Sequence, residues 1–209
     1  MAATFAWDED HGTATGSPSR GTTTSAGVTE VNWKNVDDST TAYSASPITD
    51  GNNSFEKWQF GHFSGTYNQI LAGLFAHTAT AFGAGLTLKG TPACTGDGDR
   101  LLYTTPATSA NANLTTNMTS AIAIGSGVAV FFSGTGPYST GKASSTTSNP
   151  GYTNYLTTQL QTSGASPGDT AQVTLTLQYD ENIWAFGGLL LAGLLAAANW
   201  LGAAAAFLA

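Results

Sequence analysis

Thr170-Ala-Gln-Val-Thr-Leu-Thr-Leu-Gln-Tyr179 decides the fold class. Ala171, Val173, Leu175, Leu177 and Tyr179 fall at every second position, with Thr170, Gln172, Thr174, Thr176 and Gln178 between them. A period of two sends one set to each side of an extended chain, so the stretch reads as a half-buried strand. Upstream, Phe55–Phe63 alternates too, but Trp58 and Phe60 stand on the face opposite Phe55, so both faces are aromatic. Such a strand lies between two layers. Shorter strand runs are Val28–Trp33, Ala42–Ile48, Leu86–Gly90, Leu101–Thr105, Ala121–Ile124 and Val128–Phe132, and Asn154–Gln161 reads as a strand or a short helix. Turn chemistry separates them at Asn35–Thr40, Asp50-Gly-Asn-Asn53 and Gly125-Ser-Gly127. Within Ser64–Ala84, Ile70, Leu71, Leu74, Phe75 and Thr78 recur at spacings of three and four, which predicts a helix.

The second informative stretch is Ile183–Ala209, which contains no Asp, Glu, Lys, Arg or His. As a helix at about 1.5 Å per residue it would run roughly 40 Å. Trp184, Phe186, Leu189, Leu190, Leu191, Leu194, Leu195, Trp200, Leu201, Phe207 and Leu208 would form its association surface. Gly187-Gly188, Gly193, Gly202 and Ala203–Ala206 permit close backbone approach to another copy. The absence of flanking Lys or Arg and the mid-segment Asn199 favour packing among copies. A bilayer anchor, with residues 1–182 outside the membrane as a surface module, is the alternative. The whole therefore predicts a mainly β chain: an antiparallel β-sandwich or barrel-like module with one internal helix and a C-terminal apolar helix. Residues 1–27 read as an extended arm anchored by Phe5 and Trp7, residues 28–182 as the body, and 183–209 as the apolar helix.

Charged residues make up 9% of the 209-residue chain, against about 25% in an average protein. The formal net charge is −7, and Arg20, Lys34, Lys57, Lys89, Arg100 and Lys142 are scattered. No basic stripe exists to displace counterions, which argues against direct nucleic-acid binding. The single cysteine, Cys94, cannot close an internal disulfide. The acidic N-terminus is unlike a signal peptide, so the expectation is synthesis in the cytoplasm.

The chemistry-bearing residues converge on nothing in the sequence. Asp8-Glu9-Asp10-His11 reads as a solvated acidic stretch rather than a metal site, since no partner stands at ligand spacing. Asp97-Gly-Asp99 lacks the later ligands of a calcium loop. His62 and His77 have no Gly-x-Ser-x-Gly elbow to serve. Glu9, Glu30, Glu56 and Glu181 are too sparse to nominate a glycosidase pair, and the glycine-rich runs lack the Lys-Ser/Thr of a phosphate loop. No catalytic residue, metal or cofactor is expected, and the chain reads as non-enzymatic. Trp33, Trp58 and Tyr138 are the aromatic residues from which a sugar platform could be built.

Five stretches carry a family resemblance: Val31-Asn-Trp-Lys-Asn-Val-Asp-Asp38, Ala42–Ile48, Gly85-Leu-Thr-Leu-Lys-Gly-Thr91, Thr119–Phe132 and Leu175-Thr-Leu-Gln-Tyr-Asp-Glu-Asn182. Over about residues 5–182 the chain resembles a group of small, uncharacterised virion proteins of tailed bacteriophages. The group's usual form ends near the Tyr-Asp-Glu-Asn stretch, so the tail from Ile183 departs from it. The resemblance implies a non-enzymatic virion structural protein, made in the host cytoplasm and assembled in many copies as a head decoration or tail component. Its partners would be copies of itself and other virion proteins, with the C-terminal helix locking subunits together.

Overall fold

The structure is a computed structural model. It describes residues 3–16, 19–49, 51–65, 69–78, 82–91, 103–120, 122–123, 131–132, 142–143, 151–153, 155–164 and 173–182. The strands are β1 (Ala3–Thr15), β2 (Arg20–Ser25), β3 (Lys57–Gly65), β4 (Gln69–Thr78), β5 (Leu86–Gly90) and β6 (Thr116–Asn117). They continue as β7 (Ile122–Ala123), β8 (Phe131–Phe132), β9 (Lys142–Ala143), β10 (Gly151–Tyr152), β11 (Leu156–Thr162) and β12 (Leu175–Asn182). The main sheet runs β2-β1-β3-β11-β5-β6, with β10 also paired to β3. A smaller sheet runs β12-β4-β7, and β8 pairs with β9. Every one of these pairings is antiparallel.

Alternation along β1 and β3 builds two cores, one on each side of the main sheet. Phe5 and Trp7 on β1, and Phe63 on β3, join Leu88, Leu156 and Leu160 on one face. Val173, Leu175, Leu177 and Tyr179 pack onto that cluster from the smaller sheet and its lead-in. The Phe63 and Tyr179 rings meet edge to face at 4.9 Å, so the two sheets share this core. On the opposite face Trp58, Phe60, Tyr152 and Tyr155 gather under Tyr103. The two-sided aromatic pattern of Phe55–Phe63 thus corresponds to a strand buried on both faces. The alternating stretch at Leu175–Tyr179 turns its apolar side to the core, as its period dictates.

The fold-class expectation needs correction in its helical parts. Among the described residues there is no α-helix; the only helical element is a 3-10 turn, Tyr43–Ala45. Gln69–Thr78, inside the expected helix Ser64–Ala84, is strand β4. Its ladder with β12 runs from Thr78 opposite Leu175 to Gln69 opposite Asn182. The apolar run Ile70–Ala76 satisfies both periods, and here the neighbouring strand supplies the backbone partners that decide between them. The functional role given to a helix is corrected with it. No helix among the described residues is available to lock subunits together, and none is long and apolar enough to cross a membrane. Residues 183–209, with Trp184, Phe186 and the leucines expected to form the association surface, lie outside the described residues.

Other boundaries shift for local reasons. Val28–Trp33 is loop rather than strand: it belongs to no ladder among the described strands, and Asn32 takes a left-handed backbone (φ 47) that interrupts an extended run. Ala42–Ile48 holds the 3-10 turn in place of a strand. The first part of the expected arm, Ala3–Thr15, is a full sheet strand, with Ala3 to Asp10 paired against Gly65 to Trp58 of β3. Gly61 lies opposite Trp7 in that register, and any Cβ there would stand 2.8 Å from the Phe5 ring and 2.9 Å from Thr153.

Candidate functional site

The acidic run at Asp8-Glu9-Asp10 is where the structure departs furthest from the sequence expectation. These carboxylates are not solvated: Asp8 is 4% exposed, Glu9 0% and Asp10 1%. Strand alternation sends Asp8 and Asp10 to the aromatic face and Glu9 to the face it shares with Trp7. An isolated buried carboxylate is costly, so each must find its own donors.

Asp10 is gripped by three side chains, two from β2 and one from the residue leading into β11. Arg20 of β2 forks onto it, Nε donating to Oδ2 and Nη2 to Oδ1, both at 2.9 Å. Thr24 Oγ1 donates to Oδ1 at 2.5 Å, and the hydroxyl of Tyr155, just ahead of β11, donates to Oδ2. Burial and the Asp10 charge push the Tyr155 hydroxyl far above the ordinary tyrosine range. Burial opposes the Arg20 charge, yet the hydrogen bonds and charge of Asp10 outweigh it and leave the guanidinium held more firmly protonated. The same guanidinium lies 5.5 Å from the Phe60 ring centre.

Glu9 faces Lys57 Nζ at 3.0 Å and accepts from Gln59 Nε2 at 3.2 Å. Lys57 also donates to the Asp38 carbonyl at 2.7 Å. Burial raises the Glu9 pKa, against the downward pull of Lys57. Asp8 accepts from the Gly27 amide at 2.9 Å and stands 3.3 Å from His62 Nδ1. His62 in turn stacks on Tyr152, ring centres 4.8 Å apart. Lys34, fully buried, donates to Asp38 at 2.8 Å. Burial raises the Asp38 pKa, but the donors from Lys34 and Thr41 more than reverse this and hold the carboxyl well below its usual range. Asp8, Glu9, Asp10 and Asp38 are thus each spent on partners of their own, and no group of three His, Cys, Asp or Glu among the described residues is arranged to hold a metal. The lattice instead ties β1 to β2, β3 and the residue leading into β11.

The second feature is a cavity of about 410 Å³. It lies between the Val28–Trp33 loop, Tyr43, Phe82, Leu160 and the lead-in to β12. Trp33 forms part of its wall and is fixed there: its Nε1 donates to Thr158 Oγ1 at 2.9 Å, and its ring meets Phe82 edge to face at 5.5 Å. Glu30 and Asn32 bring polar atoms to the same hollow. No Lys, Arg or His is among its described lining residues.

The remaining candidates fall elsewhere. Phe5 packs on Trp7, Phe63 and Tyr179, so both expected arm anchors sit in the shared core. Trp33 and Trp58 are 7% and 2% exposed, so neither is a platform on the outer surface, although Trp33 borders the hollow. His62 is occupied with Asp8, and His77 lies on β4 in the other sheet. His11 Nε2 meets Ser25 Oγ at 2.9 Å, and Ser39 Oγ meets Ser25 at 2.6 Å. Among the described residues no carboxylate hydrogen-bonds the other His11 ring nitrogen. The chain of hydroxyls holds the Ser39 loop against β1 and β2. Cys94, Asp97, Asp99, Ser126 and Tyr138 lie outside the described residues.

Sequence reasoning missed the lattice because an acid run at a terminus normally meets water. A signal was present nonetheless: Asp8 and Asp10 interrupt a stretch that begins Thr-Phe-Ala-Trp, which has a core strand's aromatic spacing. The cavity carried no signal at all, since its wall is assembled from distant segments. Neither family models nor curated proteins nor solved structures match the chain.

Proposed function

We propose that the chain is a non-catalytic structural module that associates with copies of itself through the free edge of β2. The observation that carries this reading is the exposure of Thr22, Thr23 and Thr24 at the border of the main sheet. No described strand pairs with the outer side of β2, and its side chains are exposed on both faces. Within it, Thr22–Thr24 is a β-branched edge segment without proline or charge, a template for another strand. The side facing its own chain is fixed: Arg20 and Thr24 both hold Asp10, which sets the β1–β2 register and keeps the edge extended. Two such edges meeting antiparallel would bring threonines into cross-strand pairs, a favourable combination. The low charge density limits repulsion between copies.

The pairing is small. Six residues per edge bury far less than the roughly 1,000 Å² that a stable pairwise interface needs, so single contacts are weak and strength comes from repetition. That is the behaviour of a subunit used in many copies. The resemblance to tailed-phage virion proteins supports a place in such a particle, with other virion proteins as further partners. The association proposed here goes through strand edges.

The test is sedimentation of the full chain beside Thr23→Lys, which sets two like charges against each other across the paired edges. Thr23 makes no side-chain hydrogen bond among the described contacts and is exposed, so the fold should be unaffected. Wild type should show concentration-dependent dimers and higher species that the variant loses. Identical sedimentation of the two chains would overturn the proposal.

A further inference from the structure

We propose that the cavity beside the Val28–Trp33 loop is a binding site for a neutral saccharide of one or two rings. This does not depend on the association of subunits. Its volume, about 410 Å³, lies within the range typical of small-molecule sites. One part of the wall is aromatic, with Trp7, Trp33, Phe82 and Tyr43. Glu30 and Asn32 supply a carboxylate and an amide. A pyranose has the matching halves: a face of C–H groups that packs on aromatic rings, and a rim of hydroxyls that donate to carboxylates and bond both ways with amides.

Asn32 is the only non-glycine residue among the described ones in the left-handed backbone region, with φ 47. Asparagine is the side-chain-bearing residue that adopts this backbone most readily, so the turn costs little. Here it turns the chain so that Asn32 contributes to the cavity wall. Asn32 Nδ2 makes one long contact, 3.4 Å, to Glu30 Oε2, which leaves amide and carboxylate capacity for a ligand. The aromatic wall is already rigid through the Trp33–Thr158 bond and the Trp33–Phe82 contact, so little ordering cost falls on binding.

Charge narrows the ligand class. No cationic side chain among the described residues lines the cavity, and Glu30 repels anions, so phosphates, sulfates and sugar acids are disfavoured. A purely aliphatic ligand would leave Glu30 and Asn32 without partners. An organic cation in an aromatic cage is the competing chemistry, and the experiment separates it.

The full chain is titrated with glucose, galactose, mannose and N-acetylglucosamine, with lactose, maltose and chitobiose, and with tetramethylammonium chloride. Tryptophan fluorescence is the readout, checked by calorimetry, because Trp7 and Trp33 border the cavity. At least one saccharide should bind saturably with a dissociation constant of about 1 mM or tighter. Asn32→Gly keeps the left-handed backbone accessible and removes only the amide, so it should weaken that binding about tenfold or more. Thermal melting of the variant, unchanged or slightly raised, confirms that the loop remains folded. Failure of every saccharide to saturate overturns the proposal, as does saccharide binding unaffected by Asn32→Gly. Saturation by tetramethylammonium alone overturns it in favour of a cation site.

Discussion

Replacing Lys57 with Met puts the buried lattice to its hardest test. The Lys57 side chain is 0% exposed and that of Glu9 1%, and they meet at 3.0 Å. Methionine fills nearly the same space, so packing is conserved and the perturbation is electrostatic. Two charge-assisted hydrogen bonds disappear, to Glu9 and to the Asp38 carbonyl. At about 1.5–3 kcal/mol each they sum to about 3–6 kcal/mol. Breaking one side of a buried ion pair costs about 3–5 kcal/mol by an independent route. We expect a loss near 4 kcal/mol, a large part of the roughly 5–15 kcal/mol that holds a typical domain together. The pair itself, however, is worth little against an apolar replacement. Lys57→Met combined with Glu9→Leu removes the stranded carboxylate and should recover most of the loss, giving a coupling energy of about 2 kcal/mol or more.

The pH dependence adds a second reading of the same residue. Burial raises the folded pKa of Glu9 above its unfolded value of 4.5, and Lys57 is the main force opposing that rise. Without Lys57 the folded carboxyl binds its proton more tightly still. A raised pKa means that stability is fully present below 4.5 and is lost as pH climbs through the folded value. The deficit of Lys57→Met should therefore be smaller at about pH 4 than at about pH 7. Urea unfolding at both pH values, for wild type, both single variants and the double, measures all of this. A single-variant loss under about 1 kcal/mol would refute the reasoning, because it would mean that Glu9 reaches water or another donor. A double variant as unstable as the sum of the singles would refute it too.

Three further outcomes follow from the same geometry. Tyr155 and Tyr103 are both pushed well above the ordinary tyrosine value of 10.0 by burial and nearby carboxylates, so they stay protonated in the fold while the unfolded chain ionises. Stability should fall as pH rises past 10.0, and Tyr155→Phe should make that alkaline decline shallower while lowering stability near neutrality by about 1–3 kcal/mol for the lost bond to Asp10; thermal melts across pH check it. Gly21→Ala should destabilise by about 1–3 kcal/mol, because the added Cβ would stand 2.5 Å from the His11 carbonyl oxygen and 2.8 Å from its nitrogen, backbone atoms that cannot turn aside; hydrogen exchange should show the loss concentrated in β1 and β2. Asp10→Asn keeps the shape but removes the charge that Arg20 forks onto, and should cost about 2–4 kcal/mol in urea unfolding.

Much of the sheet was legible in order of residues alone. Leu175–Tyr179, Lys57–Phe63 and Leu86–Gly90 declared themselves because a period of two is a local property: it depends only on which side chains alternate. The Asp50-Gly-Asn-Asn53 turn is local in the same sense, and Gly51 takes the positive φ (77) it was suited for. Gln69–Thr78 could not be settled that way, since its apolar residues fit both periods and only the ladder to β12, about a hundred positions on, chose between them. The fate of Asp8, Glu9 and Asp10 was likewise a matter of neighbours: nothing near them in the chain reveals that Lys57, Gln59, His62 and Tyr155 will arrive to meet them. Alternation and turn residues, being short-range, were written in the sequence. Which charges could be buried, and where a hollow opened beside Trp33, depended on contacts between remote segments, and only the tertiary structure could decide those.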